Sequence, residues 1–289
     1  MAEEKKFEGK IGENCAGERL DKAITILFPS LSRREGRRLI SAGSVYLNGK
    51  RCLRLSKFVK KGDFIEILTE KKDKADFDEK IEILFDDFGL IAVNKPPFLP
   101  SVPTKTEIFS AQNIVAKIKQ LNIKEVHPVT RLDTPVSGLL LFAYQKETIK
   151  QIETLKTKNL IQKTYFAWVE GIPNKKEGKI ELNISSKNGI AFVDEKGKET
   201  VTFYKTLKTV NGFSLLEIKP ITGRMHQIRV HLKEAGFPIV GDRKYGNVPY
   251  NSDRPLLHCA RISFALEKQI FLEAKVWKDF LSFEEKFRR

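Results

Sequence analysis

The chain has 289 residues, a hydrophobic share of 41%, and Lys+Arg 52 against Asp+Glu 37 for a formal net charge of +15. That length holds two domains, or one large domain with an appendage, and the positive excess attracts polyanions without specifying any chemistry. The longest apolar run, Gly138 to Ala143, falls far short of the roughly 18 to 20 residues that cross a bilayer, so no membrane span is expected. The start, Met1-Ala2-Glu3-Glu4-Lys5-Lys6, lacks the apolar core of a signal peptide, and Cys15, Cys52 and Cys259 form no CxxC pair. Three reduced thiols in a cytoplasmic protein, with no metal site, are the expectation.

After an N-terminal extension, 1–16, residues 17–68 read as a compact module. Leu20, Ala23, Ile24 and Leu27 recur at helical spacing, and Pro29 stops that helix. Ser32-Arg33-Arg34-Glu35 has the capping-box spacing that opens a second helix, and Gly43 sits at its expected end. Val45-Tyr46-Leu47 runs into Asn48-Gly49, a strong hairpin-turn signal, and a last strand, Phe64 to Leu68, follows Gly62-Asp63. Across 17–62 twelve Lys and Arg face three acids, a net +9. Arg33/Arg37 and Arg34/Arg38 are i,i+4 pairs on neighbouring positions of one helix face, and the nearest acid is Glu35. Such stacking is unfavourable unless an anion answers it, which favours a phosphate-binding surface over a merely solvated face.

Residues 69–80 are charged, poor in apolar residues and aperiodic, and read as a linker. From 81 to 289 short strands alternate with turns. Ile81 to Phe85 meets the turn Asp86-Asp87-Phe88-Gly89, Leu90 to Asn94 ends at Lys95-Pro96-Pro97, and helices are expected near 110–121 and 145–158. Strands and helices without regular alternation predict an α+β domain.

Three residues stand out chemically. In Thr130-Arg131-Leu132-Asp133, alternation puts Arg131 and Asp133 on one side and Leu132 toward the core. Pro135 and Ser137-Gly138 make a turn, and Leu139 to Ala143 enters as a buried strand. Asp133 is thus a loop carboxylate braced by the core, suited to act as nucleophile or base. Its guanidinium partner is either Arg131 or Arg229, and either would keep it ionised and oriented. Met225, Ile228 and Leu232 form a helical apolar stripe that ends at Gly236, and Arg229 lies beside it, partly buried and in need of an acid. Tyr165 sits in the strand Lys163 to Val169. Arg224, in the turn Thr222-Gly223-Arg224, reads as a phosphate contact, whereas His226 and His231, five apart and outside a HExxH arrangement, read as structural hydrogen-bonding residues.

The string Arg131-Leu132-Asp133, with Ser137-Gly138, resembles the His-Arg-Leu-Asp-x-x-Thr-Ser-Gly signature of RluA-type pseudouridine synthases, with Thr130 in place of the histidine and Val136 in place of the threonine. Lys163-Thr164-Tyr165-Phe166-Ala167-Trp168-Val169-Glu170-Gly171 resembles the family's Lys-x-Tyr-x-Ala-x-Val-x-Gly segment. Phe237-Pro238-Ile239-Val240-Gly241-Asp242, Tyr245-Gly246, Leu257-His258-Cys259-Ala260 and Asn94-Lys95-Pro96 match further family stretches, Phe237 replacing a histidine and Cys259 standing as an extra residue. The module at 17–68, with Arg19-Leu20-Asp21 and Gly43-x-Val45-x-x-Asn48-Gly49, resembles the S4-like RNA-binding domain.

The resemblance implies an isomerase that breaks the uridine base–ribose bond, rotates the uracil and rejoins it through carbon, without a cofactor. It implies a catalytic domain on a mixed, mostly antiparallel sheet, preceded by a small α/β S4-like module. Asp133 becomes the catalytic aspartate, Arg229 its partner, and Tyr165 an active-site phenol that stacks on uracil or exchanges a proton. Arg131 and Leu132 support the site. Arg33, Arg34, Arg37, Arg38, Lys95 and Arg224 are expected on RNA. A fused S4-like domain leans toward large-subunit ribosomal RNA over transfer RNA, and a monomer without membrane contact is expected. The competing readings are a non-catalytic RNA-binding or ribosome-assembly factor and an aspartate-dependent hydrolase. A hydrolase would call for a second carboxylate or a metal cluster, and no such pattern stands out.

Overall fold

The computed structural model describes residues 5–42, 44–52, 57–69, 81–104, 109–187, 189–246, 252 and 254–285, and divides into two compact units, Met1–Asp76 and Phe77–Arg289. The first unit holds β1 (Lys5–Lys10), α1 (Leu20–Leu27), α2 (Arg33–Ala42), β2 (Val45–Leu47), β3 (Lys50–Arg51) and β4 (Phe64–Thr69). Leu20, Ala23 and Ile24 on α1 are buried with Ile40, Val45, Val59, Ile65 and Ile67 as a small core, and Leu27 packs against it half-buried. Ser32 and Glu35 close the expected capping box: Ser32 N–H donates to Glu35 Oε2 at 2.9 Å and Glu35 N–H to Ser32 Oγ at 3.2 Å. Asn48 and Gly49 both have positive φ, 53° and 70°, which is the backbone a two-residue hairpin turn demands.

The sheet of this unit runs β1-β4-β2-β3. Residues 1–16, read from the sequence as an extension outside the module, therefore need correction, since β1 pairs antiparallel along the whole of β4. Lysines and a glutamate on β1 disguised it, and such charges suit an edge strand because they discourage further pairing. Of the charged stretch 69–80, Thr69 closes β4 and the rest lies outside the described residues, as do Gly43 and Arg54.

The second unit is built on β5 (Glu82–Asp87), β6 (Leu90–Lys95), β7 (His127–Pro128), β8 (Ser137–Ala143), β9 (Gln162–Glu170), β10 (Glu177–Lys187), β11 (Ile190–Val193), β12 (Lys198–Val210), β13 (Phe213–Pro220), β14 (Leu257–Ala265) and β15 (Gln269–Glu273). Its helices are α3 (Ala111–Lys119), α4 (Lys146–Thr157), α5 (Gln227–Glu234) and α6 (Lys278–Glu285), with a 3-10 turn at Ile123–Glu125. The sheet has 11 strands in the order β11-β10-β12-β13-β9-β14-β8-β6-β5, with β15 on β14 and β7 on β8. All its pairings are antiparallel except β8 with β14. Fold class α+β on a mixed, mostly antiparallel sheet is therefore what the chain adopts.

The sheet is driest at its β8–β6 end. Every residue of β6 and of β8 is buried, and Leu139, Leu140, Leu141 and Phe142 are fully so. Each such side chain removed from water contributes about 1.5–3 kcal/mol, which anchors the loop that leads into β8. The sequence reading placed Ser137-Gly138 in a turn, whereas both residues already belong to the strand. Gly138 has φ +115°, and a Cβ there would lie 2.3 Å from the Cys259 carbonyl oxygen, so only glycine lets the parallel strands β8 and β14 approach this closely.

Candidate active site

The loop before β8 carries Asp133 and is held from both sides. Leu132 N–H donates to Ser101 Oγ at 2.9 Å, and Ser101 Oγ donates to the Leu132 carbonyl at 2.7 Å. On the other side the Thr134 carbonyl accepts from Phe98 N–H at 2.8 Å and from Lys95 Nζ at 3.1 Å. Leu132 packs in the core while Arg131 is exposed and Asp133 partly so, the alternation expected from the sequence, although the segment is a loop and not a strand.

Lys95 corrects an expectation. Read as an RNA contact, it is fully buried, and its Nζ donates to the carbonyls of Pro96 at 2.9 Å, Leu99 at 2.8 Å and Thr134 at 3.1 Å. Burial pulls its pKa well below the usual lysine value, while three carbonyl dipoles match the three donors of an ammonium. It clasps the Asp133 loop and cannot reach a phosphate.

Between the two candidate partners, the structure pairs Asp133 with Arg229. Nη1 of Arg229 lies 2.8 Å from Asp133 Oδ2, and among the described residues Arg131 makes no ion pair with that carboxylate. The rest of the guanidinium is taken by Asp242: Nε to Oδ2 and Nη2 to Oδ1, both at 2.7 Å. This two-pronged pair fits a planar fork to a carboxylate and fixes where Nη1 points. Asp242 is itself held by the N–H groups of Lys244 and Tyr245. Burial opposes the charge on Arg229, but the hydrogen bonds and charge of Asp242, with Asp133 behind them, outweigh it and raise the guanidinium's pKa.

Helix α5 starts two residues later than the apolar pattern suggested, which puts Arg229 in its first turn. Met225 precedes the helix and is exposed, so the buried stripe starts at Gln227 and Ile228. Gln227 locks the preceding turn, accepting from Thr222 Oγ1 at 2.8 Å and Arg224 N–H at 3.1 Å and donating to the Val201 carbonyl at 3.1 Å. Gly236 ends the helix with φ +89°.

Tyr165, on β9, is buried beside Cys259 of β14, to which it is paired in register. The extra Cys259 is absorbed by a bulge: register shifts between Cys259 and Arg261 opposite Tyr165 and Thr164. Burial, then the neighbouring thiol, holds the Tyr165 hydroxyl well above its ordinary pKa, so it stays a neutral phenol that can donate a hydrogen bond. Burial likewise pushes the Cys259 thiol to about 12, leaving it inert.

Asp133, Tyr165, Arg229, Arg131, Leu132, Lys163, Arg224 and His226 share one open pocket of about 540 Å³, within the ~300–1,000 Å³ typical of small-molecule sites. Arg224 is exposed at its rim and also lines a neighbouring hollow of about 350 Å³ with Lys196 and Lys198. His231 is structural as expected, its Nε2 lying 2.7 Å from Thr200 Oγ1. His226 is more than that: its Nε2 lies 3.5 Å from Asp133 Oδ2 and its Nδ1 2.7 Å from Tyr245 Oη. Of the positions that depart from the signature, Thr130 uses its hydroxyl to accept Leu141 N–H at 3.1 Å, Val136 is buried core, and Phe237 packs edge-on against Tyr204. None of the three meets the Asp133 carboxylate.

In the first unit the arginines of α2 are less alone than the sequence suggested. Asp21 on α1, fully buried, meets Arg37 Nε at 2.8 Å, Arg19 Nε at 3.2 Å and Arg33 Nη2 at 3.3 Å. Burial opposes ionisation of Asp21, yet Arg37, Arg33 and Arg19 together lower its pKa below the ordinary carboxylate value. The nearest acid is thus Asp21, brought in by helix–helix packing, with Glu35 occupied at the cap. Arg33 and Arg37 keep half of their side chains in solvent, Arg34 is exposed, and the Arg38 side chain lies outside the described ones.

Two residues of the site escaped sequence reasoning. Asp242 was visible in the Gly241-Asp242 stretch, and the signal that could have found it is electrostatic: a buried arginine needs more than one half-exposed acid. His226 was visible as the residue before the helix but carries no periodic signal.

Comparison with known proteins identifies the family. The sequence profile of the RNA pseudouridylate synthase family matches residues 89–234, and that of the S4 domain residues 18–65. The chain is 34% identical over 293 residues to the ribosomal large subunit pseudouridine synthase C of Rickettsia felis, covering 89% of this chain and 93% of the relative. It is 34% identical over 296 residues to the protein of the same name from Rickettsia conorii, with the same coverages. Among solved structures, human RNA pseudouridylate synthase domain containing 4 has the same fold, with a TM-score of 0.62 at 22% identity over 74% of this chain and 95% of that one. No helix among the described residues is long and apolar enough to cross a membrane. With an S4 domain ahead of a catalytic unit whose pocket gathers Asp133, Tyr165 and Arg229, the chain belongs to the RNA pseudouridylate synthase family and is an RNA-modifying isomerase.

Proposed function

We propose that this protein isomerises specific uridines of large-subunit ribosomal RNA in the cytoplasm, with Asp133 as the catalytic carboxylate. The observation that carries the assignment of Asp133 is the two-acid clamp on Arg229. Asp242 takes the Nε and Nη2 edge of the fork, and Nη1 holds Asp133 at the pocket wall. A preorganised carboxylate of this kind needs no reorganisation when charge develops on the ribose or base. The isomerisation is redox-neutral: the base–ribose N–C bond breaks, a C–C bond forms, the carbon loses its proton and the nitrogen gains one. Tyr165 supplies a neutral phenol for the base, which must leave its stack to enter the pocket. On this reading Arg131 and Arg224 at the rim, and Arg33, Arg34, Arg37 and Arg38 on the S4 domain, meet RNA phosphates.

Ribosomal RNA is favoured over transfer RNA by the names of the Rickettsia relatives and by the S4 domain at residues 18–65. Carbodiimide-dependent primer extension across ribosomal and transfer RNA, in cells with and without the gene, tests it. The expected result is a stop in large-subunit RNA that vanishes with the gene and returns with the wild type but not with Asp133→Asn. A stop lost from transfer RNA instead overturns the substrate, and an unchanged map favours a binding factor on this fold.

A further inference from the structure

The Asp133 carboxylate meets its protein neighbours with one oxygen only. Arg229 Nη1 is 2.8 Å and His226 Nε2 3.5 Å from Oδ2, whereas Oδ1 has no hydrogen bond among the described residues. His226 occupies the N-cap of α5 in the left-handed region, φ +54°, a conformation histidine adopts more readily than most side chains. Its other nitrogen, Nδ1, lies 2.7 Å from Tyr245 Oη, and that oxygen already accepts Ala191 N–H at 2.9 Å. The tyrosine proton is then free to be donated to Nδ1, which places the imidazole proton on Nε2. The opposite tautomer would aim the Nε2 lone pair at a carboxylate oxygen 3.5 Å away, which is repulsive.

We propose that His226, fixed by Tyr245 with its proton on Nε2, is a positioning residue that holds Oδ2 of Asp133 together with Arg229. Oδ1 is then the oxygen presented to the uridine. This rests on the reading of Asp133 as the reactive carboxylate. A chain of donors runs from Ala191 on β11, through Tyr245 and His226, to Asp133, tying an edge strand of the sheet to the reacting group. The groups facing His226 are Asp133, Arg229, Lys244, Asp242 and Tyr245. Burial, reinforced by Arg229 and Lys244 against the pull of Asp133, lowers its pKa to about 4, so the ring is neutral at neutral pH. The 3.5 Å separation is expected to shorten when RNA fills the pocket, as catalytic hydrogen bonds commonly do.

The test uses full-length protein and total RNA from cells lacking the gene, labelled with tritium at C5 of uridine, so that every natural target is present and unmodified. Tritium leaves C5 as that carbon joins the ribose, and its release under single turnover reads the rate. RNA affinity and urea midpoint are measured beside it. His226→Ala is expected to lose roughly 100-fold in rate, the scale of a misplaced reacting group. Tyr245→Phe, which keeps the ring over Arg229, is expected to lose about 10-fold, the worth of one orienting hydrogen bond. His226→Gln, which restores an N–H near the Nε2 position, recovers most of the His226→Ala loss. Affinity for RNA stays within about threefold for all three. Wild-type release with equal rates in the variants, or with His226→Gln no better than His226→Ala, overturns the positioning role alone. A wild type that releases no tritium overturns the reading of the site and this proposal with it.

Discussion

Two aspartates hold the same arginine, and their replacement should have opposite consequences. Asp242 is fully buried and makes two 2.7 Å bonds to Arg229; Asp133 makes one at 2.8 Å and keeps 28% of its side chain in solvent. In Asp242→Asn, Arg229 at 6% exposure loses its principal counter-charge. Breaking one side of a buried pair costs about 3–5 kcal/mol, and residual pairing with Asp133 puts this variant near the lower end. Asp133→Asn leaves the two-pronged Asp242 pair intact and removes a carboxylate from a half-open pocket, so its cost should stay within about 1 kcal/mol. Urea denaturation of the two variants beside the wild type measures the difference, and tritium release measures activity. Asp242→Asn should be clearly destabilised and retain part of its activity under conditions where it is folded, while Asp133→Asn should be nearly as stable as wild type and inactive. Equal destabilisation by the two variants would refute the division of labour between anchor and reactive group.

Three more outcomes follow from the described geometry. Burial brings His231 and His258 to about 4 against 6.5 in an unfolded chain, so below pH 6.5 the unfolded state binds protons that the folded state refuses. Stability is therefore full above about pH 6.5 and falls toward pH 4, by about 2 kcal/mol per histidine at pH 5, and a urea midpoint that holds or rises from pH 7 to pH 5 would contradict it. Lys95→Met should lower stability by about 3 kcal/mol through three carbonyls left without their donor, and leave the salt dependence of RNA binding unchanged. A flattened slope would return Lys95 to the RNA. Replacing Arg33, Arg34, Arg37 and Arg38 by glutamine should weaken binding and flatten its salt dependence by roughly 0.7–0.9 for each phosphate no longer neutralised. Fewer than four phosphates should be released, because Asp21 already engages two of these arginines. An unchanged slope would make α2 a solvated face.

What could be read from the sequence was what is local. Helix α1, the capping box at Ser32 and Glu35, the Asn48-Gly49 turn and the buried run of β8 follow from spacing and turn chemistry within a few residues. The pairing of Asp133 with Arg229, 96 residues apart, was legible only through motif resemblance, because spacing alone left Arg131 equally eligible. Interactions that depend on packing stayed hidden. Asp21 reaches Arg33 and Arg37 across two helices, Lys95 turns inward from what looks like an exposed Asn-Lys-Pro turn, and Asp242 lies in a turn with no period to mark it. β1 stayed hidden for a different reason: Phe7 is its lone large apolar residue among lysines and a glutamate, so its membership of the sheet rests on backbone pairing with β4.

The role of Asp133 is tested most directly by measuring tritium release from C5-labelled RNA and RNA affinity on the same preparations of wild type and Asp133→Asn. Release by the wild type, none by Asp133→Asn, and affinities within about threefold of each other are the expected results. Release by Asp133→Asn at a rate near wild type, or loss of RNA binding together with activity, would contradict the assignment of Asp133 as the reacting carboxylate held by Arg229.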